Sequence, residues 1–108
     1  MLSDLIRSKL NVNDQDDDGR SPLHFAAQER QAGIAQLLLD NGADPNAADA
    51  HGNSPLWTAI MNARGDFTVV KLLLAAGSNP LHKNVHGRSP YDMAMTIKNG
   101  LEILFAAT

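Results

Sequence analysis

The sequence predicts an all-α repeat protein, a row of short helix pairs in which each pair buries its apolar side only against its neighbours. Three observations predict it. A glycine-led hexapeptide occurs three times, as Gly19-Arg20-Ser21-Pro22-Leu23-His24, Gly52-Asn53-Ser54-Pro55-Leu56-Trp57 and Gly87-Arg88-Ser89-Pro90-Tyr91-Asp92, at spacings of 33 and 35 residues. Self-similarity at such a period is the signature of stacked repeats. Two matching stretches lie between, Leu37-Leu38-Leu39-Asp40-Asn41-Gly42-Ala43-Asp44-Pro45 and Leu72-Leu73-Leu74-Ala75-Ala76-Gly77-Ser78-Asn79-Pro80. Finally, only five of 108 residues are aromatic although 44% are apolar. Alanine and aliphatic packing suffices where no central core has to be filled.

Each element follows from local chemistry. Ser21, Ser54 and Ser89 are N-caps, each followed by a proline at the first helical position, where a missing N–H costs nothing. Gly19, Gly52 and Gly87 precede them in a tight turn that requires positive φ. The first helix of each pair carries an alanine (Ala26, Ala59, Ala94) that permits close approach. The second carries Ile34, Leu37 and Leu38 at i, i+3, i+4, and Val69, Leu72 and Leu73 repeat that pattern. Gly42 and Gly77 end these helices as left-handed C′ residues. Residues 1–12 align with a second helix, and Asp4 takes the slot of Leu37 and Leu72, so the outer face there is more polar, as in a terminal repeat. At the other end Leu101, Ile103, Leu104 and Phe105 form the last helix. Ile103 fills the slot of Gln36 and Lys71, which leaves that end poorly capped. The expectation is one domain of seven helices: a half-repeat (1–15), a repeat (16–48), a repeat with a two-residue insertion (49–83) and a C-terminal repeat (84–108).

The two-part pattern resembles the ankyrin repeat, with its Gly-x-Thr-Pro-Leu-His and Leu-Leu-x-x-Gly-Ala-Asp signatures. Serine replaces threonine all three times, and the resemblance covers essentially the whole chain. It implies an ankyrin-repeat solenoid of helix–turn–helix units with projecting β-hairpin loops, here 43–51 and 78–86. It also implies a concave side, made of hairpin tips and first helices, that binds proteins. Carried over position by position, that surface comprises Asp17, Asp18, Arg20, Gln28 and Glu29 in the first full repeat. The next contributes His51, Asn53, Trp57, Met61 and Asn62, and the last Lys83, His86 and Arg88. Trp57 stands where the family has histidine, as an interface anchor or as a ring packed over the neighbouring hairpin. The insertion falls in Asn62-Ala63-Arg64-Gly65-Asp66, and inserted loops often face the partner. Replacing Arg64 or Asp66 by alanine is therefore expected to weaken binding with little loss of stability.

Other function classes are disfavoured. Nine Lys+Arg against twelve Asp+Glu leave a net charge of −3, which argues against a nucleic-acid binder. The absence of cysteine excludes disulfides, thiolate metal sites and a cysteine nucleophile. The longest apolar runs have five residues, where a membrane span needs about 20, and Met1 to Arg7 has no secretory character. A soluble, cytoplasmic protein is expected. Asp14-Gln15-Asp16-Asp17-Asp18-Gly19 matches the opening of a calcium loop, but Phe25 stands where that loop needs a bidentate glutamate. Asp16, Asp49 and Asn84 read instead as equivalent hairpin slots. His82 and His86 would suit zinc only on one helix. His24 reads as structural, bonding across its turn. No base, nucleophile and orienting group converge, so no enzyme, cofactor or metal is expected.

Residues 1–54 carry nine acids and four bases, and 55–108 three acids and five bases. The acidic half suits a basic partner, such as a nuclease toxin held by an immunity-type ankyrin protein. A self-assembling structural protein using the apolar C-terminal end, monomeric or weakly dimeric, is the opposing reading.

Overall fold

The computed structural model describes residues 11–98 and 100–105. The expected first helix, with Asp4, lies outside them. The described residues form six helices: α1 (Pro22–Gln28), α2 (Ala32–Asp40), α3 (Pro55–Met61), α4 (Thr68–Ala75), α5 (Pro90–Ile97) and α6 (Leu101–Phe105). Helices α1, α3 and α5 pack side by side as one row, α2 and α4 stack behind it, and α6 packs on α5. The molecule measures 40 × 26 × 21 Å. No helix among the described residues is long and apolar enough to cross a membrane.

The predicted punctuation is present. Ser21, Ser54 and Ser89 sit in extended backbone, and each side chain accepts the N–H three residues on. Helices α2 and α4 both end in a Schellman motif. The Ala43 N–H reaches the Leu38 carbonyl at 3.0 Å, and the Ser78 N–H reaches Leu73 at 2.9 Å. Gly42 and Gly77 supply φ of 92° and 98°. The core is a line of small and aliphatic side chains: Ala26, Ala27, Ala59 and Ala94 let the rows approach, while Leu23, Leu38, Leu56 and Leu73 fill between them. In the last repeat Tyr91 takes the slot of Leu23 and Leu56, and its ring meets Phe105 edge-on at 6.4 Å.

No described residue is in a strand, so the β-hairpin character expected of the projecting segments is not confirmed. Each is a closed turn tip. Asp16 N–H bonds the Arg20 carbonyl at 3.0 Å, Asp49 bonds Asn53 at 2.9 Å and Asn84 bonds Arg88 at 2.8 Å. Neighbouring tips share one backbone bond each, from Ala50 N–H to Asp18 O and from Val85 N–H to His51 O. Within each tip the glycine N–H turns back to the carbonyl of the first tip residue, and two further amides are taken by that residue's side chain, so no ladder of consecutive backbone bonds develops.

Candidate docking surface

The side chain that takes those amides is the one at the tip's first position. The Asp16 Oδ1 accepts from the N–H of Asp18 and Arg20, both at 2.9 Å. Asp49 does the same for His51 and Asn53, and Asn84 for His86 and Arg88. The Asp16 carboxyl is held below the usual carboxylate range, chiefly by the Arg20 backbone N–H. The three acceptors occupy equivalent slots, and that accounts for the calcium-like run: Asp16 shapes its own turn.

His24 ties two repeats together. Its Nδ1 accepts the Ser21 N–H at 3.0 Å, so Nε2 carries the proton and donates to the Asn53 carbonyl at 2.8 Å. The ring is buried, and burial pushes its pKa below the usual histidine value. Ser21 and His24 close a reciprocal capping box, and so do Ser89 and Asp92. Trp57 cannot. Ser54 accepts the Trp57 N–H at 3.4 Å, but the indole gives nothing back to the Ser54 N–H. The middle repeat alone of the three lacks the box, and there a large aromatic stands half-buried on the first-helix row. One turn on, Met61 is 49% exposed, on the same side of α3.

Of the other surface candidates, Asp17, Asp18, Glu29, His51, Arg64, Lys83, His86 and Arg88 are exposed, while Arg20 and Gln28 are half-buried. Arg20 is committed internally. It pairs with Asp16 at 3.4 Å and Asp18 at 3.3 Å, and its guanidinium lies 4.7 Å from the centre of the Phe25 ring. Two further candidates are also turned inward. The Asn53 Oδ1 accepts from the Asn84 side chain at 2.9 Å. Asn62 gives its amide to the Thr58 carbonyl and accepts Arg30 Nη1 on its own carbonyl at 3.1 Å.

The insertion loop divides in the same way. Arg64 is exposed with φ of 51°. Asp66 accepts the Thr68 N–H at 3.1 Å and its hydroxyl at 2.7 Å, which caps the start of α4. The Thr68 hydroxyl is the chief reason that its carboxyl lies below the usual range. The expectation that Asp66→Ala spares stability is therefore corrected. The loop follows the C-terminal end of α3, about 10 Å along the helix from the tip that precedes it.

Sequence reasoning missed Asp49, which with Asp18, Arg20 and His51 lines a cavity of about 270 Å³ between the first two tips. Its place in the Asp16 slot was the available signal. Also missed was an asparagine bridge between repeats. The Asn13 side chain spans the Gly42 carbonyl and the Asp44 N–H, and Asn46 spans Gly77 and Asn79 in the same way. Leu81 takes that slot in the last repeat, 61% exposed.

Comparison with known proteins agrees with the geometry. A family description reading "Ankyrin repeats (3 copies)" matches residues 1–84. Among similar curated proteins is the ankyrin repeat and LEM domain-containing protein 1 homolog of Caenorhabditis elegans, 44% identical over 62 residues, 57% of this chain and 8% of that one. The neurogenic locus Notch protein of Drosophila melanogaster is 38% identical over 72 residues, 65% of this chain and 3% of its own. Potassium channel AKT2/3 of Arabidopsis thaliana is 36% identical over 62 residues, 57% and 8% respectively. This chain thus spans under a tenth of each of these relatives. With three capped helix pairs, aligned turn tips and the family match over most of its length, the chain belongs to the ankyrin-repeat family.

Proposed function

We propose that this chain is a non-enzymatic protein-binding module whose partner docks on the strip formed by the turn tips and the first-helix row. Ankyrin repeats generally mediate protein–protein interaction. The observation that carries the reading to a particular face is Trp57. It occupies a slot where His24 and Asp92 each close a capping box, and it forgoes that bond. A tryptophan kept half-exposed at a cost in capping is the profile of an interface anchor.

The test separates binding from folding. Trp57→His restores a side chain able to close the box, so it is expected to keep or raise the melting temperature while abolishing partner capture. A fall in stability with capture unchanged contradicts the reading. Lys71→Ala, exposed behind the strip on α4, is the control and is expected to change neither. The acidic first tip favours a basic partner, and a toxin neutralised by occupation of its surface is one of that kind. Association with such a partner slows steeply as salt is added.

A further inference from the structure

The three tips differ in charge in a fixed order. The first carries Asp16, Asp17 and Asp18 against Arg20, the second Asp49 and His51, and the third Asn84, His86 and Arg88, with Lys83 just before it. The change from aspartate to asparagine at the shared acceptor slot leaves the turn bonds unaltered. Fold therefore does not require the charge to change along the strip. Between the acidic and the basic tip lies the apolar pair Trp57 and Met61 on α3.

Resting on the protein-binding reading above, we infer that the partner meets this strip through a segment of mixed charge. A lysine or arginine enters the cavity between the first two tips, an apolar side chain covers Trp57 and Met61, and carboxylates lie over the third tip. The cavity, at about 270 Å³, is below the range typical of small-molecule sites and large enough for one long side chain. Asp18 uses one carboxylate oxygen on Arg20, and Asp49 uses one on its own turn. The second oxygen of each has no partner among the described residues, so two acceptors remain for an incoming cation. Arg20 is drawn back by Asp16, Asp18 and Phe25, which leaves the cavity's formal balance negative. At the far tip His86 and Arg88 are exposed, and Lys83 beside them is exposed too. An apolar centre with charged surroundings is how binding energy is usually distributed across an interface. Opposite charges at the two ends fix the direction in which the segment lies.

The experiment uses the full chain and short synthetic peptides of equal length. One has a basic end, a leucine centre and an acidic end; the controls are all-basic and all-acidic around the same centre. The mixed peptide is expected to bind roughly fivefold or more tightly than either control, by fluorescence anisotropy. A nitroxide on its basic end is expected to broaden the amide signals of Gly19 and Gly52 and to spare Gly87, with the reverse when the label is moved to the acidic end. Asp18→Lys should weaken the mixed and all-basic peptides and leave the all-acidic one unweakened. Equal affinities, no measurable binding by any peptide, or broadening independent of the label's place overturns the inference. If partner capture still depends on Trp57 in that case, the docking strip stands without its charge order. If capture is also indifferent to Trp57, the strip itself is wrong.

Discussion

At the scale of single residues, two glycines that look interchangeable in the repeat alignment carry different duties. Gly52 and Gly87 share a φ of 76–77°, yet only one touches the next repeat. A β-carbon on Gly52 would sit 3.0 Å from the Val85 backbone nitrogen, whereas one on Gly87 would meet nothing within 4 Å. Gly87→Ala is thus expected to cost about 1 kcal/mol, the backbone strain alone. Gly52→Ala adds a clash between rigid backbones and should cost about 2 kcal/mol or more, and urea melts of the two variants measure the difference. His24 makes the second prediction. Its folded pKa lies below the ordinary 6.5 because burial disfavours the charged ring. The unfolded chain therefore takes up a proton before the folded one does. Stability is full above pH 6.5 and declines as the pH falls from there toward the lowered value. The turn carboxylate Asp16 and the capping carboxylates Asp66 and Asp92, also lowered, add a separate decline below about pH 4. In His24→Ala the upper decline should vanish, alongside a loss of about 2–4 kcal/mol from the unpaired Ser21 and Asn53 groups and the emptied space. A melting-temperature series across pH for both proteins checks this, and an upper decline that persists in the variant contradicts it.

Among elements, the insertion loop is the informative one. It was legible in sequence as a two-residue excess, but its wiring was not. Spacing alone cannot show that Asp66 turns back onto Thr68 or that Asn62 receives Arg30 from the preceding repeat. Helix α4 has Phe67 at its N-cap and no cap bond from that side chain, so Asp66 supplies what a serine supplies elsewhere. Asp66→Ala should lower the denaturation midpoint, while Arg64→Ala, whose side chain is exposed, should fall within about 0.5 kcal/mol of wild type. Chemical denaturation of the pair decides the point. The turn tips teach a related lesson. Glycine, serine and proline announced the turns correctly because each residue's conformational preference is local. Whether neighbouring turns join as strands depends on where the amides go. Asp16, Asp49 and Asn84 intercept them, and side-chain hydrogen bonds of that kind are not written in a periodicity.

Across the whole molecule, the repeat period made the architecture legible because each helix pair packs only on its neighbours, and contacts at a fixed separation follow from the period. The proposed docking strip was legible only in part. Its exposed members follow from position in the repeat, yet the Asn53 side chain is engaged by Asn84 of the next repeat and that of Asn62 by the Thr58 carbonyl of its own helix. The cavity beside Asp49 exists only because two tips stand side by side. The charge order along the tips, by contrast, was visible as an acidic first half and a basic second half. The central claim is that a protein partner occupies the tips and first helices and not the rear of the stack. Amide hydrogen exchange on the complex with the captured partner tests it most directly. The account predicts slowed exchange at 16–20, 49–53 and 84–88 and in α3 around Trp57, with α2 and α4 near Gln36 and Lys71 unchanged. Protection confined to α2 and α4 would contradict it.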